Sequence, residues 1–382
     1  MQIGQRLGSL VVSDIRAMSR ACDAVGGINL GQGVCDLPTP PPVARAASGA
    51  IDASVAMYTA PEGILPLRQA IAKDLDKRFA LSVDPASEVV VTSGATGAFA
   101  ATCLALLDPG SEVILFEPYY GYHLNTIIAM GLVPVLVPTR PPAWDFDRDA
   151  FIRAIGPRTR AVVLCTPSNP SGKVWNTEEL DWLADAIDAH DLIAITDEIY
   201  EHIVFDGHAH VPLSTRKNAR KNTISISGFS KTFAVTGWRV GYLTAPPEAA
   251  RRIVVAHDLL YVCAPTPLQH AMVAGLEMPD EYFRGIGASY QRKRDILCGA
   301  LVDAGLRPYV PRGAYYVLAD IRRLGLSTSK AAAMVLLDKL KIASVPGTSF
   351  YRDAVGETMC RFCFAKDDDV LEEAARRIRA WW

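Results

Sequence analysis

Long apolar runs are missing from this chain. None of its 382 residues belongs to a stretch long enough to cross a membrane as a helix. Residues 1–19 mix charges with short apolar pieces and hold no continuous apolar segment of the signal-peptide kind. Basic runs are missing too. The 39 Lys and Arg nearly balance the 41 Asp and Glu, for a formal charge of −2. The densest basic cluster, residues 216–221, reads as a solvated loop. Neither nucleic acid nor membrane is an expected partner. Metal signatures are scarce. There is no HExxH, and Cys360-Arg-Phe-Cys363 has no second pair. In the strand expected there, its two thiols point to opposite faces. His208 and His210 read as part of a surface loop, so no metal is expected. The eight cysteines are scattered, which suits a reducing compartment and a cytoplasmic location. No repeat or low-complexity tract is present.

What is present is an alternation. A chain of this length buries about three quarters of its unfolded surface, enough for a large α/β domain with a smaller companion. Apolar, β-branched runs recur at 88–94, 111–118, 133–139, 159–166, 192–197, 222–226 and 239–245, with helical or turn-rich stretches between them. Such runs suit a parallel sheet buried on both faces. The helix over 177–189 is expected to open with an approximate capping box on Thr177. After residue 278 a smaller α/β unit is expected. Its helices span 280–304, 329–340 and 368–382; its strands span 307–310, 314–320, 342–345 and 359–364.

Several residues call for chemistry. Lys231 leaves the carboxyl end of the 222–226 strand, where open α/β sheets place ligands, and a lysine there is able to form a Schiff base. Arg239 offers a planar fork of donors to a phosphate. Gly94-Ala95-Thr96 joins a strand to a helix N-terminus, an anion-binding arrangement. Asp197 ends an apolar run, and a buried carboxylate is costly unless paired. Arg361 interrupts an apolar strand and equally needs an anion. Tyr119, Tyr120 and Tyr122 cluster at a strand end, where a flat heteroaromatic cofactor would find a stacking partner.

The run Ser225-Ile-Ser-Gly228-Phe-Ser-Lys231-Thr-Phe-Ala-Val-Thr-Gly237-Trp-Arg239 resembles the pyridoxal-phosphate attachment signature of the class I/II, fold-type I aminotransferases. Asn169-Pro-Ser-Gly172, Asp197-Glu-Ile-Tyr200 and Leu30-Gly-Gln-Gly33 resemble further motifs of that family, in the family's order, and the likeness runs over nearly the whole chain. It is nearest to the kynurenine, glutamine and methionine aminotransferase branch. The resemblance implies a three-layer α/β/α large domain with a mostly parallel, seven-stranded sheet, over residues 41–278. It adds a small α/β domain over 279–382, joined by an N-terminal arm over 1–40.

It also implies roles. Lys231 would carry pyridoxal 5'-phosphate, Asp197 would face the ring nitrogen, and Tyr200 and Asn169 would meet the phenolic oxygen. Tyr120 would stack on the ring. Gly94, Ala95, Thr96 and Arg239 would hold the phosphate, joined by Tyr58 from the other subunit of a homodimer with shared active sites. Gly33, Asn169 and Arg361 would bind substrate. Four departures stand out: Cys35 where proline is usual, Leu37 where an aromatic is usual, Thr96 where some relatives have lysine, and Gly228 where many have serine. Ser227 or Ser230 would replace that serine. The implied reaction moves an amino group from an L-amino acid to a 2-oxo acid with ping-pong kinetics. Tyr119, Tyr120, Tyr261 and Tyr315 favour aromatic, glutamine- or methionine-like donors. A β-lyase on the same fold is the alternative; a non-catalytic cofactor-binding regulator is not favoured, for want of a DNA-binding domain.

Overall fold

A strand covered on both faces must be apolar along its length, and seven of the runs above meet that demand. The computed structural model describes residues 6–10 and 14–381. Its main sheet contains Val89–Thr92 (β1), Glu112–Glu117 (β2), Val133–Arg140 (β3), Asp145–Phe146 (β4), Thr159–Cys165 (β5), Ile193–Asp197 (β6), Thr223–Gly228 (β7) and Gly241–Thr244 (β8). Their order is β1-β8-β7-β6-β5-β2-β3-β4. The pairs from β3 to β7 are parallel, while β8 runs against both of its neighbours and β4 against β3. The expected seven strands are all there. The eighth, β4, is a two-residue edge strand too short to leave a period in the sequence.

One face of the sheet is covered by an apolar layer that includes Ala98, Phe99, Leu243 and Ile253, and the other by Phe151, Trp175, Leu180 and Leu183. The chain is therefore a three-layer α/β/α fold with a smaller unit beside it. Five helices matter below: α1 (Asp14–Ala24), α2 (Pro41–Asp52), α3 (Leu65–Phe79), α4 (Gly94–Leu106) and α5 (Gly121–Ala129). Among the described residues no helix is long and apolar enough to cross a membrane.

The smaller unit has strands β9 (Arg307–Tyr309), β10 (Tyr316–Asp320), β11 (Val345–Pro346) and β12 (Met359–Cys363), ordered β9-β10-β12-β11 and all antiparallel. The single strand expected at 342–345 is two pieces. Ile342–Ala343 pairs in parallel with Ile28–Asn29, and β11 pairs with β12. The N-terminal segment is thus stitched to the C-terminal unit.

Two local expectations are corrected. The 177–189 helix is capped by Asn176, not Thr177. Asn176 has the extended backbone a cap needs, and it exchanges both capping-box bonds with Glu179. His210 is not on a solvated loop; it is buried with Nε2 2.9 Å from Glu198 Oε2. Cys360 and Cys363 are both buried and free, and no cluster of metal-ligating side chains exists among the described residues.

A buried charged cluster lies behind the strand ends. Arg78 Nη1 donates to Asp74 Oδ2 at 3.0 Å and to Glu201 Oε2 at 2.8 Å. Glu201 Oε1 accepts from Ser227 Oγ at 2.6 Å and Tyr242 Oη at 3.3 Å. One carboxylate so ties α3 to β7, β8 and the segment after β6. Burial pushes the Glu201 carboxyl up, but the Arg78 cation, with His202, His210 and the Ser227 hydroxyl, outweighs it and brings it down to about 2. A carboxyl below its ordinary value stabilises the fold above that value and loses this as pH falls toward 2. Glu201→Gln is expected to cost about 3 kcal/mol at pH 7, because the buried Arg78 loses one of its two carboxylate partners. In urea unfolding, the gap between parent and variant should narrow steadily from pH 4.5 to pH 2. A gap that stays constant over that window overturns this account.

Candidate active site

The carboxyl ends of the parallel strands deliver one group each. Asp197 is the last residue of β6, Lys231 follows β7, Asn169 follows β5, Tyr120 follows β2, and Ala95 and Thr96 open α4 after β1. Because β8 is antiparallel, Arg239 just before it reaches the same edge. These residues line one cavity of about 250 Å³.

Asp197 is buried, and its Oδ2 lies 3.0 Å from His123 Nε2 while Oδ1 accepts the Ile199 N–H at 3.3 Å. His123 comes from the first turn of α5 and rests edge-on to the Tyr120 ring, 5.2 Å between centroids. Lys231 Nζ has a long contact of 3.5 Å to the Gly33 carbonyl and forms no ion pair with a described residue. Burial pushes its ammonium down to about 8. Tyr200 Oη donates to Tyr316 Oη at 3.3 Å. Burial raises both phenols, Tyr316 to about 12 and Tyr200 well above its ordinary value.

Arg361 is 1% exposed. Its Nη1 donates to Asn169 Oδ1 at 2.8 Å and its Nη2 to the Gly31 carbonyl at 2.7 Å, but its Nε has no partner. The rings of Tyr316 and Phe350 flank the guanidinium at 4.1 and 4.6 Å. Arg239 is in the left-handed region, φ 55°, and its Nη1 bonds only its own turn at Thr236 O. A Cβ on Gly94 would stand 2.6 Å from Arg239 Nη2, so the glycine lets the guanidinium reach the start of α4. Gly33 is as constrained: a Cβ there would meet Tyr316 Oη at 1.7 Å.

Not every expected residue is in the cavity. Tyr119 is buried on the far side of its strand end, Tyr315 lies beneath the Gly33 segment and donates to the Gly33 carbonyl at 3.0 Å, and Tyr261 lies over Gly97 of α4. Tyr58 is 81% exposed and outside the cavity of its own chain. Of the two candidate serines, Ser230 lines the cavity, while Ser227 is turned away to Glu201. A side chain at position 228 would meet Gly241 Cα at 2.9 Å, so the usual serine has no room there.

Two residues escaped sequence reasoning. His123 stood beside the tyrosine cluster as a lone histidine. Tyr316 follows the Tyr315 that was singled out; side chains alternate along a strand, and the one-residue difference puts Tyr316 on the cavity side.

Residues 25–378 match the profile described as Aminotransferase class I and II. The chain belongs to the class I and II aminotransferases. This aminotransferase is an enzyme of a family that uses pyridoxal phosphate. It is similar to the N-succinyldiaminopimelate aminotransferase from Mycobacterium tuberculosis, at 36% identity and a TM-score of 0.96 over 100% of both chains. It is 31% identical to methionine aminotransferase from Escherichia coli, over 98% of this chain and 96% of that protein. It is 33% identical to kynurenine–oxoglutarate transaminase 3 from Homo sapiens, over 93% of this chain and 85% of that protein.

The depressed Lys231 ammonium gives the aminotransferase a measurable signature. Only a neutral amine attacks an aldehyde, so if Lys231 is the attacking amine, the rate at which the cofactor-free enzyme captures pyridoxal phosphate should rise with pH and level off above about pH 8. A solvated lysine would keep climbing toward about pH 10.4. Stopped-flow absorbance of the coloured adduct reads the rate, and a climb that continues past pH 9 contradicts the burial argument.

Proposed function

We propose that this chain is a pyridoxal-phosphate-dependent aminotransferase acting at Lys231, and that its cavity divides as follows. Arg239, the free N–H groups of Ala95 and Thr96 at the start of α4, and Ser230 hold the phosphate, with Gly94 making room for the guanidinium. Asp197, oriented by His123, faces the ring nitrogen and keeps a proton on it. Tyr120 supplies a flat surface, and Asn169 and Tyr200 donate to the phenolic oxygen. Pyridoxal phosphate, when bound, supplies an aldehyde that takes up an amine and a ring that draws electrons from the carbon bearing it.

The rest is work for the chain's own side chains. Arg361 binds the substrate α-carboxylate. Its unpartnered Nε is costly when buried, and an incoming carboxylate satisfies it. Gly33 lets the backbone of its segment approach that carboxylate closely. Lys231 Nζ would take the substrate α-proton and deliver a proton to the carbon that enters as the cofactor's aldehyde, on the other side of the amine nitrogen, a transfer suited to an amine that titrates near working pH. Cations without carboxylate partners, gathered round one carboxylate that has a histidine, are the observation that carries this reading.

We further propose a homodimer. Met57 at 82%, Tyr58 at 81%, Val255 at 70% and Leu259 at 79% exposure are apolar side chains a second copy would cover. Thr266 Oγ1 holds the Met57 carbonyl at 2.7 Å, so the Tyr58 segment is fixed at that surface. Tyr58 would then reach the partner's phosphate. The unit boundaries we propose are 1–40 for the arm, 41–278 for the cofactor-binding domain and 279–382 for the small domain. The eight free cysteines, six of them buried, suit a cytoplasmic protein. Phe99, Tyr120 and Tyr122 give the cavity aromatic walls. They suit donors with a long, largely apolar side chain, aromatic, glutamine- or methionine-like.

The test is a panel of L-amino acids against several 2-oxo acids. Transfer with ping-pong kinetics is expected, and ammonia with pyruvate from a single amino acid would mean lyase chemistry instead. Lys231→Ala should lower kcat on the order of a thousandfold or more, and Asp197→Asn on the order of a hundredfold. Full turnover by the Lys231→Ala protein removes the assignment.

A further inference from the structure

The cavity holds one more cation than the reading above uses. Lys231, Arg239 and Arg361 have assigned work, and a fourth, Arg16, lines the mouth. Among the described residues it pairs with no carboxylate, and its side-chain hydrogen bond is a long 3.4 Å approach of Nη2 to Tyr122 Oη. Among the described residues the only carboxylate lining the cavity is Asp197, which is already against His123.

The Arg16 side chain is exposed, but the helix that carries it is anchored. Its helix, α1, is fixed at the start by Asp14 Oδ2, which accepts from Ser349 Oγ at 3.0 Å. It is fixed one turn further on by Ser19, whose Oγ donates to Gln32 Oε1 at 3.2 Å and accepts from Asn29 Nδ2 at 3.0 Å. Ile15 of the same helix lines the cavity and packs on the small unit. The mouth that results has an arginine beside the neutral polar groups of Gln32, Tyr122 and Thr126. Phe99, Tyr120, Tyr122 and Tyr316 line the same cavity as Arg16 and Arg361.

We propose that Arg16 is a specificity-determining residue that reads a second anionic group, a carboxylate at the far end of a long donor side chain. The proposal rests on the aminotransferase reading and revises its donor, from a long apolar side chain to a long side chain that ends in a carboxylate. Among side chains long enough to run along the aromatic walls, those ending in a carboxylate are favoured over those ending in a methyl group. A short dicarboxylate is not the expected donor, because Thr96 places no cation near the proposed ring.

The experiment compares L-2-aminopimelate with L-2-aminoheptanoate, donors of equal chain length that differ in the terminal group, using the holoenzyme of the parent, Arg16→Ala and Arg16→Lys. The parent should favour the diacid in kcat/KM, and Arg16→Ala should lower that ratio by about fivefold, the size of an exposed ion pair. Arg16→Lys should keep part of it. The ratio in the parent should shrink between low and high salt, and the ratio in Arg16→Ala should not. A merely structural role for Arg16 would lower both donors together and leave the ratio and its salt dependence alone. That result, or a parent that favours the methyl-ended donor, overturns the proposal. A second arm needs no turnover: heptanedioate and heptanoate are titrated against the visible absorbance of the holoenzyme. If no amino acid is transaminated but the diacid binds more tightly in an Arg16-dependent way, the anion site stands and the aminotransferase reading falls. If transfer is normal and diacid binding ignores Arg16, the site falls alone.

Discussion

A carboxylate at the end of an apolar strand is the constraint round which this chain is arranged. Asp197 terminates β6 inside the protein, and an uncompensated charge there would cost several kcal/mol. The nearest side-chain partner comes from α5, whose first turn brings His123 to 3.0 Å. That requires β2 to end where it does and Tyr120 to cap the helix that follows. The cations stand on the other walls, without carboxylates of their own. A folded chain that gathers them so closely has left room for anions that it does not itself supply.

Close backbone approach is the second constraint. Gly94 admits the Arg239 guanidinium, Gly33 admits the Tyr316 hydroxyl, and Gly228 admits β8. At each position a single methyl group would push against a functional neighbour or a strand. The small unit contributes through the same economy of space. Arg361, flanked by Tyr316 and Phe350, spans from Asn169 of the large sheet to Gly31 of the N-terminal segment. The site is therefore assembled from three parts of the chain, and β12 is the piece that holds them to one another. Behind it, the Arg78–Glu201 pair ties α3 to the strands that deliver Lys231 and Arg239.

Much of this was legible beforehand, and the reason differs from residue to residue. Asp197, Lys231, Asn169 and Arg239 sit next to strands whose apolar period is plain, so their edge of the sheet follows from counting. Arg361 was legible because a charge inside an apolar strand has to be answered. Tyr315 and Tyr316 were not separable, since adjacent strand residues face opposite ways and only the register with β12 decides which is which. His210 and Glu198 read as unrelated surface and strand residues; they meet because the chain turns back after β6. Ser227 and Ser230 are equally good hydrogen-bond donors on paper. One is claimed by Glu201 and the other is left for the cavity.

Local pattern alone determined the strands, the helices between them and the family, because hydrophobic period and short motifs are properties of neighbours along the chain. Distance in space determined the rest: that His123 holds Asp197, that Tyr315 lies beneath the Gly33 wall and not within the cavity, and that Arg16 faces its mouth. Those relations join residues tens to hundreds of positions apart. They exist only once the sheet order, the strand register and the seat of the N-terminal segment are set, and no window of sequence contains them.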